Sequence, residues 1–327
     1  MKKKALFPVV ILALFVCAMT GIPEAMAAAN IKIGHVNAKS HPAGSAQEAF
    51  KAKVEEVSKG AVQVRSFHSA ALGSDPDLIQ GCQLGNVEMA SANIGSFSTF
   101  AKEFDIVSLP FLFRDEEHLH RVMDGELGKI LADVAEKKLG IKIVGWSTSA
   151  QRQIFCKVPI RTVADLKGKK IRTMDDAGII EVFKLFGAIP SPIAFGEIYS
   201  ALQSGVIDGG ESSFLSWVNS RFTEVAKYCS EVNYMDTGRA FFINKKFYDS
   251  LSADDRRAVD EGVKVMINTV RTEYINDAKT VKEKAAAAGG VVITPDIASF
   301  RQAAMPIYDK RTPTLGKEWI EKIRNVQ

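Results

Sequence analysis

Cysteine is scarce in this 327-residue chain: four residues, Cys17, Cys82, Cys156 and Cys229, with no CxxC and no histidine clustered beside them. That pattern excludes a thiol-built zinc site and a disulfide scaffold. With Cys17 assigned to a leader segment, three distant thiols remain, and the sequence leaves open whether two pair or all stay buried and free. Histidine is equally sparse, five in all. His118 and His120, two apart, do not share a helix face, so no metal is expected there. GxSxG, P-loop and GxGxxG patterns are missing, and no nucleophile–base pair or carboxylate pair stands in a recognisable setting. No catalytic residue and no cofactor is therefore expected. Beyond the N-terminus there is no apolar run long enough to cross a bilayer. A strong excess of one charge is also missing: 42 Lys and Arg face 38 Asp and Glu, and three of the lysines are Lys2, Lys3 and Lys4. Such a balance argues against a nucleic-acid or membrane-surface partner.

What is present begins with an export signal. A basic start, an apolar stretch from Ala5 to Thr20 and the small-x-small site Ala25-Met26-Ala27 predict cleavage after Ala27 and a periplasmic mature chain. Leu14-Phe15-Val16 lacks the small residue that lipoprotein processing at Cys17 needs. The mature length exceeds one comfortable core, so two domains are expected.

Alternating apolar residues predict strands at Asn30–Val36, Ala61–Phe67 and Val87–Ala92, with helices over Ala46–Ser58 and Asp77–Leu84 between them. Strand, helix, strand, helix, strand signifies a parallel α/β layer. Ligand sites in such layers lie at the carboxyl ends of strands, which marks His35, Asn37 and Asn93. Phe104–Phe113 reads as core with a bend at Pro110, Glu126–Lys138 as helix and Ile141–Trp146 as strand. Arg239–Asn244 reads as a strand returning to the first unit. Ser252-Ala253-Asp254-Asp255 resembles a capping box opening a helix that runs to about Ala288, where Gly289-Gly290 stop it. At 1.5 Å per residue it reaches about 54 Å, longer than one small lobe, so it is expected to brace both.

The most informative stretch runs from Asp165 to Glu211. Lys169-Lys170-Ile171-Arg172 is a short strand that ends on a guanidinium, and Asp175 or Asp176 can cap the helix after it. Pro190 and Pro192 bracket a turn, Phe195 opens a second helix that Gly205 closes, and Val206–Glu211 is a buried strand. Strand ends and helix starts converge around one Arg with no nucleophile, which suits holding an anion rather than transforming it. A guanidinium fork matches both oxygens of a carboxylate and stays charged. The alternative role for Arg172 is an ion pair with Asp165 or Asp175. Ser212, at the end of the following strand, and Asp236, in the loop before Arg239, are further polar candidates.

Several segments together resemble a known family: the export signal, His41-Pro42, Ala71-Leu72-Gly73, Leu109-Pro110-Phe111-Leu112-Phe113, Asp165–Arg172 and Glu197–Gly209. They are similar to the solute-binding proteins of TRAP (tripartite ATP-independent periplasmic) transporters of the DctP type, across essentially the whole mature chain. The resemblance implies an α/β, two-lobed periplasmic binding protein with a hinge and a long helix spanning both lobes. Residues 28–150 and 239–285 would form lobe I, and 151–238 and 286–327 lobe II. It implies a small organic acid as ligand, such as a sugar acid, a hydroxy or keto acid or a dicarboxylate, and TRAP membrane permease subunits as partners. A monomer is expected. The family's carboxylate-clamping Arg falls on Arg172, a second ligand Arg on Arg152 and the packing aromatic on Phe195. Ser212 stands where many members have Asn, so the ligand is not expected to be that of the sialic-acid type. With Asn93, Asp175, Asp236 and His35, these complete the expected ligand-binding set. An ABC-linked or sensor-linked organic-anion binding protein is the alternative.

Overall fold

The computed structural model of the protein describes residues 29–327; the leader and its expected cleavage after Ala27 lie outside the described residues. The strands run in chain order as β1 (Ala29–Gly34), β2 (Val62–Phe67), β3 (Met89–Asn93) and β4 (Ile141–Ser147). Then come β5 (Arg152–Cys156), β6 (Lys170–Thr173), β7 (Ile189–Pro192), β8 (Gly209–Ser213) and β9 (Tyr228–Met235). Last are β10 (Arg239–Asn244) and β11 (Val291–Ile293). They form two sheets, ordered β2-β1-β3-β10-β4 and β11-β9-β5-β8-β6-β7. β1 pairs in parallel with β2 and β3, as the alternating strand–helix pattern predicts, while β10 runs antiparallel to β3 and β4.

Local chemistry accounts for the elements. Ser74 and Asp77 close a capping box on the helix Asp75–Leu84, and Gly85, at φ +79°, ends it in the left-handed conformation that favours glycine. The helix Ala177–Leu185 starts at Asp176, whose carboxylate accepts from the Ile179 amide at 3.0 Å. One expectation is corrected: Ile189–Pro192 is not a turn but an edge strand. Proline survives there because β7 pairs only with β6, and its outer side needs no N–H. His118 and His120 lie inside a helix, Glu116–Asp124, which the sequence reading did not place. They serve the packing: His118 Nε2 bonds the Ile323 carbonyl at 2.9 Å, and His120 Nε2 accepts from the Thr148 amide at 2.9 Å. Cys82, Cys156 and Cys229 are all buried and unpaired.

The chain passes between the sheets at residues 148–151, from β4 to β5, and at 236–238, from β9 to β10. These two short connections are bonded to each other. Asp236 accepts from the Thr148 hydroxyl, from the Ser149 amide at 3.2 Å and from the Gly238 amide at 2.9 Å, and Ser149 Oγ lies 3.1 Å from Thr237 Oγ1. A helix of 35 residues, Ala253–Ala287, follows β10, capped by Ser252 through the Asp255 amide at 3.1 Å. It packs on the helix Pro42–Val57 beside the first sheet and on Phe214–Asn219 and β11 beside the second. Gly262 allows the first contact: a Cβ there would come within 2.4 Å of Val54. The two sides also meet at Ser108, which donates to Asp176 at 2.5 Å, and at Gly95, where a Cβ would overlap Asp176.

Candidate functional site

The carboxyl ends of β1, β3, β6 and β8 and the amino ends of the antiparallel β5 and β10 surround a cavity of about 350 Å³. From the second sheet and its connections come Arg152, Arg172, Met174, Ile193, Phe195 and Ser212; from the first come Asn37, His41, Asp75, Asn93 and Arg239, with Tyr274 from the long helix. Six of the eight expected site residues line it: Arg172, Arg152, Phe195, Ser212, Asn93 and Asp175.

Arg172 is 3% exposed and Arg152 5%, and both face a carboxylate that the sequence reading passed over, Glu211, fully buried on β8. Register explains the meeting. β8 lies between β5 and β6, pairing Ile154 with Glu211 on one side and Arg172 with Gly210 on the other. Arg152 Nε bonds Glu211 Oε2, and Arg172 Nη1 reaches Glu211 Oε1 at 3.3 Å. Tyr234 adds its hydroxyl to Oε2 at 2.9 Å and the Met174 amide donates to Oε1 at 3.1 Å. One carboxylate thus serves two guanidinium groups, leaving one positive charge over.

The sharing is uneven. Burial works against the Arg152 charge, but Glu211 and Tyr234 outweigh it and hold its pKa above the ordinary value. Arg172 comes off worse: burial lowers its pKa to about 10, with Arg152 adding to the effect against Glu211. It remains a cation, yet it is the under-compensated one. Its Nε donates to the Ile193 carbonyl at 2.8 Å, and Nη2 has no protein partner among the described residues. The expected alternative partners are excluded. Asp165 instead closes its own turn by accepting from the Arg161 and Thr162 amides at 2.7 and 2.9 Å, and Asp175 is exposed.

Phe195 is half-buried, its ring centre 6.0 Å from the Arg172 guanidinium carbon and 5.7 Å from the Phe222 ring. Ser212 is buried on β8, opposite Gln153. Asn93 bridges inward, donating to Asp75 Oδ2 at 2.7 Å and accepting from Thr237 at 3.0 Å. His35 and Asp236 do not line the cavity. His35 is held by His68 at 2.8 Å and by the Asn37 amide at 3.1 Å, and Asp236 ties the two connections together. Both sit at strand ends, but their polar atoms serve the scaffold.

The bacterial extracellular solute-binding protein family 7 (DctP) model matches residues 33–313. The chain belongs to this family. A solute-binding protein of Chromohalobacter salexigens is 32% identical over 84% of this chain and 82% of its own length. The C4-dicarboxylate-binding periplasmic protein DctP of Rhodobacter capsulatus is 29% identical, over 90% of each chain. Among solved structures, a TRAP periplasmic solute-binding protein from Polaromonas sp. JS666 bound to D-erythronate superposes with a TM-score of 0.87. It is 30% identical, with 91% of this chain and 99% of that one covered. As a DctP-family member the chain is a solute-binding protein of two-lobed α/β fold, not an enzyme, and among the described residues no helix is long and apolar enough to cross a membrane.

Proposed function

We propose that this DctP-family protein is exported to the periplasm, captures a small organic acid between its lobes and delivers it to the permease subunits of a TRAP transporter. The ligand carboxylate meets Arg172, and Arg152 holds the second position. Glu211 fixes both guanidinium planes and cancels one charge, so a single carboxylate completes the neutrality of the group. A buried charge is costly unless it is paired, and the surplus cation beside a cavity is the observation that carries this reading. Phe195 closes over the apolar face of the ligand.

Delivery follows from closure. Residues 148–151 and 236–238 form the hinge, stapled by Asp236, and the long helix keeps the two lobes in register. Ligand bridging the lobes favours the closed form by its differential affinity, and that form is what a permease can distinguish from the empty protein. The dicarboxylate-binding and erythronate-bound relatives support an acid as the ligand class.

A thermal-shift screen of the purified mature chain against organic acids tests the reading. An acid present at about 100 times its Kd stabilises by about 2.7 kcal/mol, which raises Tm on the order of 5 °C for a chain of this size. A screen in which no carboxylic acid moves Tm contradicts it.

A further inference from the structure

The cavity holds more charge than the carboxylate clamp uses. Arg239, on β10, is 2% exposed, and among the described residues it forms no ion pair. Its neighbours are neutral: Asn37 Oδ1 accepts from Nη2 at 2.9 Å, Ser91 Oγ accepts from Nη1 at 3.3 Å, and the Tyr274 hydroxyl stands beside it. Burial pushes the Tyr274 pKa up, and burial, then Arg239, holds His41 down to about 3, so neither adds a charge to this wall. Asp75, the first residue of its helix, is 7% exposed and also lines the cavity. Its Oδ2 accepts from the Asn93 amide at 3.0 Å and from the Asn93 side chain at 2.7 Å, while its buried Oδ1 has no partner. The charge of Asp75 is felt at Arg172. Burial works against that cation, and Glu211 and, more weakly, Asp75 favour it.

The buried charges at and behind the cavity wall are three guanidinium groups, Arg152, Arg172 and Arg239, and two carboxylates, Glu211 and Asp75. A buried charge is costly unless it is paired. The ligand that completes this set carries one net negative charge and has a group for each unmatched position. The Arg152–Arg172–Glu211 group takes a carboxylate. Asp75 Oδ1, close enough for its charge to act on Arg172, takes a donor next to that carboxylate. Arg239, on the first sheet, takes a second anion. A monocarboxylate balances the total but leaves Arg239 and Asp75 each with dipoles alone. A plain dicarboxylate meets both cations, yet it exceeds the balance by one charge and sets its own carboxylate against Asp75. An ammonium beside the first carboxylate removes both faults, because a charged donor makes the stronger bond to a carboxylate.

We propose that the ligand is an amino dicarboxylic acid, with its α-carboxylate on Arg172 and Arg152, its α-ammonium on Asp75 and its distal carboxylate on Arg239. Asp75 is then the residue that separates amino acids from other acids, and Arg239 the one that requires a second carboxylate. The inference rests on the carboxylate reading above and names the ligand class within it.

Calorimetric titration of the purified mature chain with L-aspartate, L-glutamate, succinate, glutarate, L-glutamine and D-gluconate tests it, using the wild type, Asp75→Asn and Arg239→Gln. In the wild type, L-aspartate or L-glutamate should bind more than about tenfold tighter than succinate, glutarate, L-glutamine and D-gluconate, for one charge-assisted bond gained. Asp75→Asn keeps the side-chain shape and removes the charge. It should weaken the amino diacid about tenfold or more and leave succinate and glutarate level or tighter. Arg239→Gln should remove the preference for L-glutamate over L-glutamine. If either variant does not fold, the wild-type ranking decides alone. Succinate or glutarate binding as tightly as both amino diacids, D-gluconate binding tighter than both, or Asp75→Asn binding the amino diacid like the wild type overturns the proposal and leaves the carboxylate clamp standing. No binding of any of the six compounds counts against the clamp itself, and the proposal falls with it.

Discussion

Two buried arginine sites face one cavity, and they are built in opposite ways. At the second sheet, Arg152 and Arg172 share Glu211, with Tyr234 and the Met174 amide completing the carboxylate's bonds. At the first sheet, Arg239 has Asn37 and Ser91 for company but no carboxylate within ion-pairing distance among the described residues. The contrast teaches that burial alone does not mark a binding residue. Where the protein supplies the counter-charge, the guanidinium is fixed in place before ligand arrives, and only the surplus is left to bind. Where it does not, the group depends on neutral dipoles and has capacity left for ligand oxygens.

The sharpest way to break the comparison is to make the second-sheet site resemble the first-sheet one, by removing its carboxylate. Glu211→Gln leaves two adjacent buried cations without their shared carboxylate, and the ligand-free protein should lose about 3–5 kcal/mol in urea unfolding. A loss below 1 kcal/mol would mean that the two arginines do not need it. The converse change is smaller. Arg239→Met removes a buried charge that has no ion partner, and ligand-free stability should stay level or rise by about 1 kcal/mol. A loss comparable to that of Glu211→Gln would show that Arg239 is paired after all.

A third effect, spread over a pH range, concerns the titrating groups near Arg239. Burial, then Arg239, holds His41 down to about 3, and burial with Arg239, His41 and His68 lowers His35 well below its usual value. On acidification below 6.5 the unfolded chain takes up protons that these two refuse. Stability then falls, by up to about 1.4 kcal/mol per pH unit for each. Glu116 opposes this. Its carboxyl is pushed up to about 7 by burial, then by Asp236 and Asp115, so the folded state keeps a proton that the unfolded chain releases above its ordinary value of 4.5. That contribution is full below the ordinary value and lost as pH rises through 7. Glu116→Gln removes the opposing slope, so the variant should lose stability more steeply than wild type between pH 6.5 and 5, by about 1 kcal/mol per pH unit. Parallel profiles would contradict the assignment.

Much of this was legible in the sequence because it is written locally. The Ser252 cap and the Gly289 stop bound the long helix, the strand–helix alternation marks the parallel layer, and Arg172 is visible at its strand end. Glu211 was not legible as a partner because its arginines lie 39 and 59 positions away and meet it only through the β5–β8–β6 register. The ion-pair alternatives offered by the sequence, Asp165 and Asp175, were merely nearby. Asp236 and His35 show the converse: a polar residue at a strand end reads as a ligand contact until the second strand or connection that consumes its bonds is seen. Arg239 opens an apolar strand at its amino end and Tyr274 lies in mid-helix, so the rule that marks carboxyl strand ends passes over both; only the fold turns them toward one space.

The most direct measurement of the central claim is a calorimetric titration of Arg172→Lys against wild type, using whichever acid the thermal screen identifies. The substitution keeps the charge and removes the planar fork. Affinity should fall about a hundredfold or more, by the loss of charge-assisted bonds worth about 1.5–3 kcal/mol each. Affinity within a factor of three of wild type would contradict the carboxylate clamp.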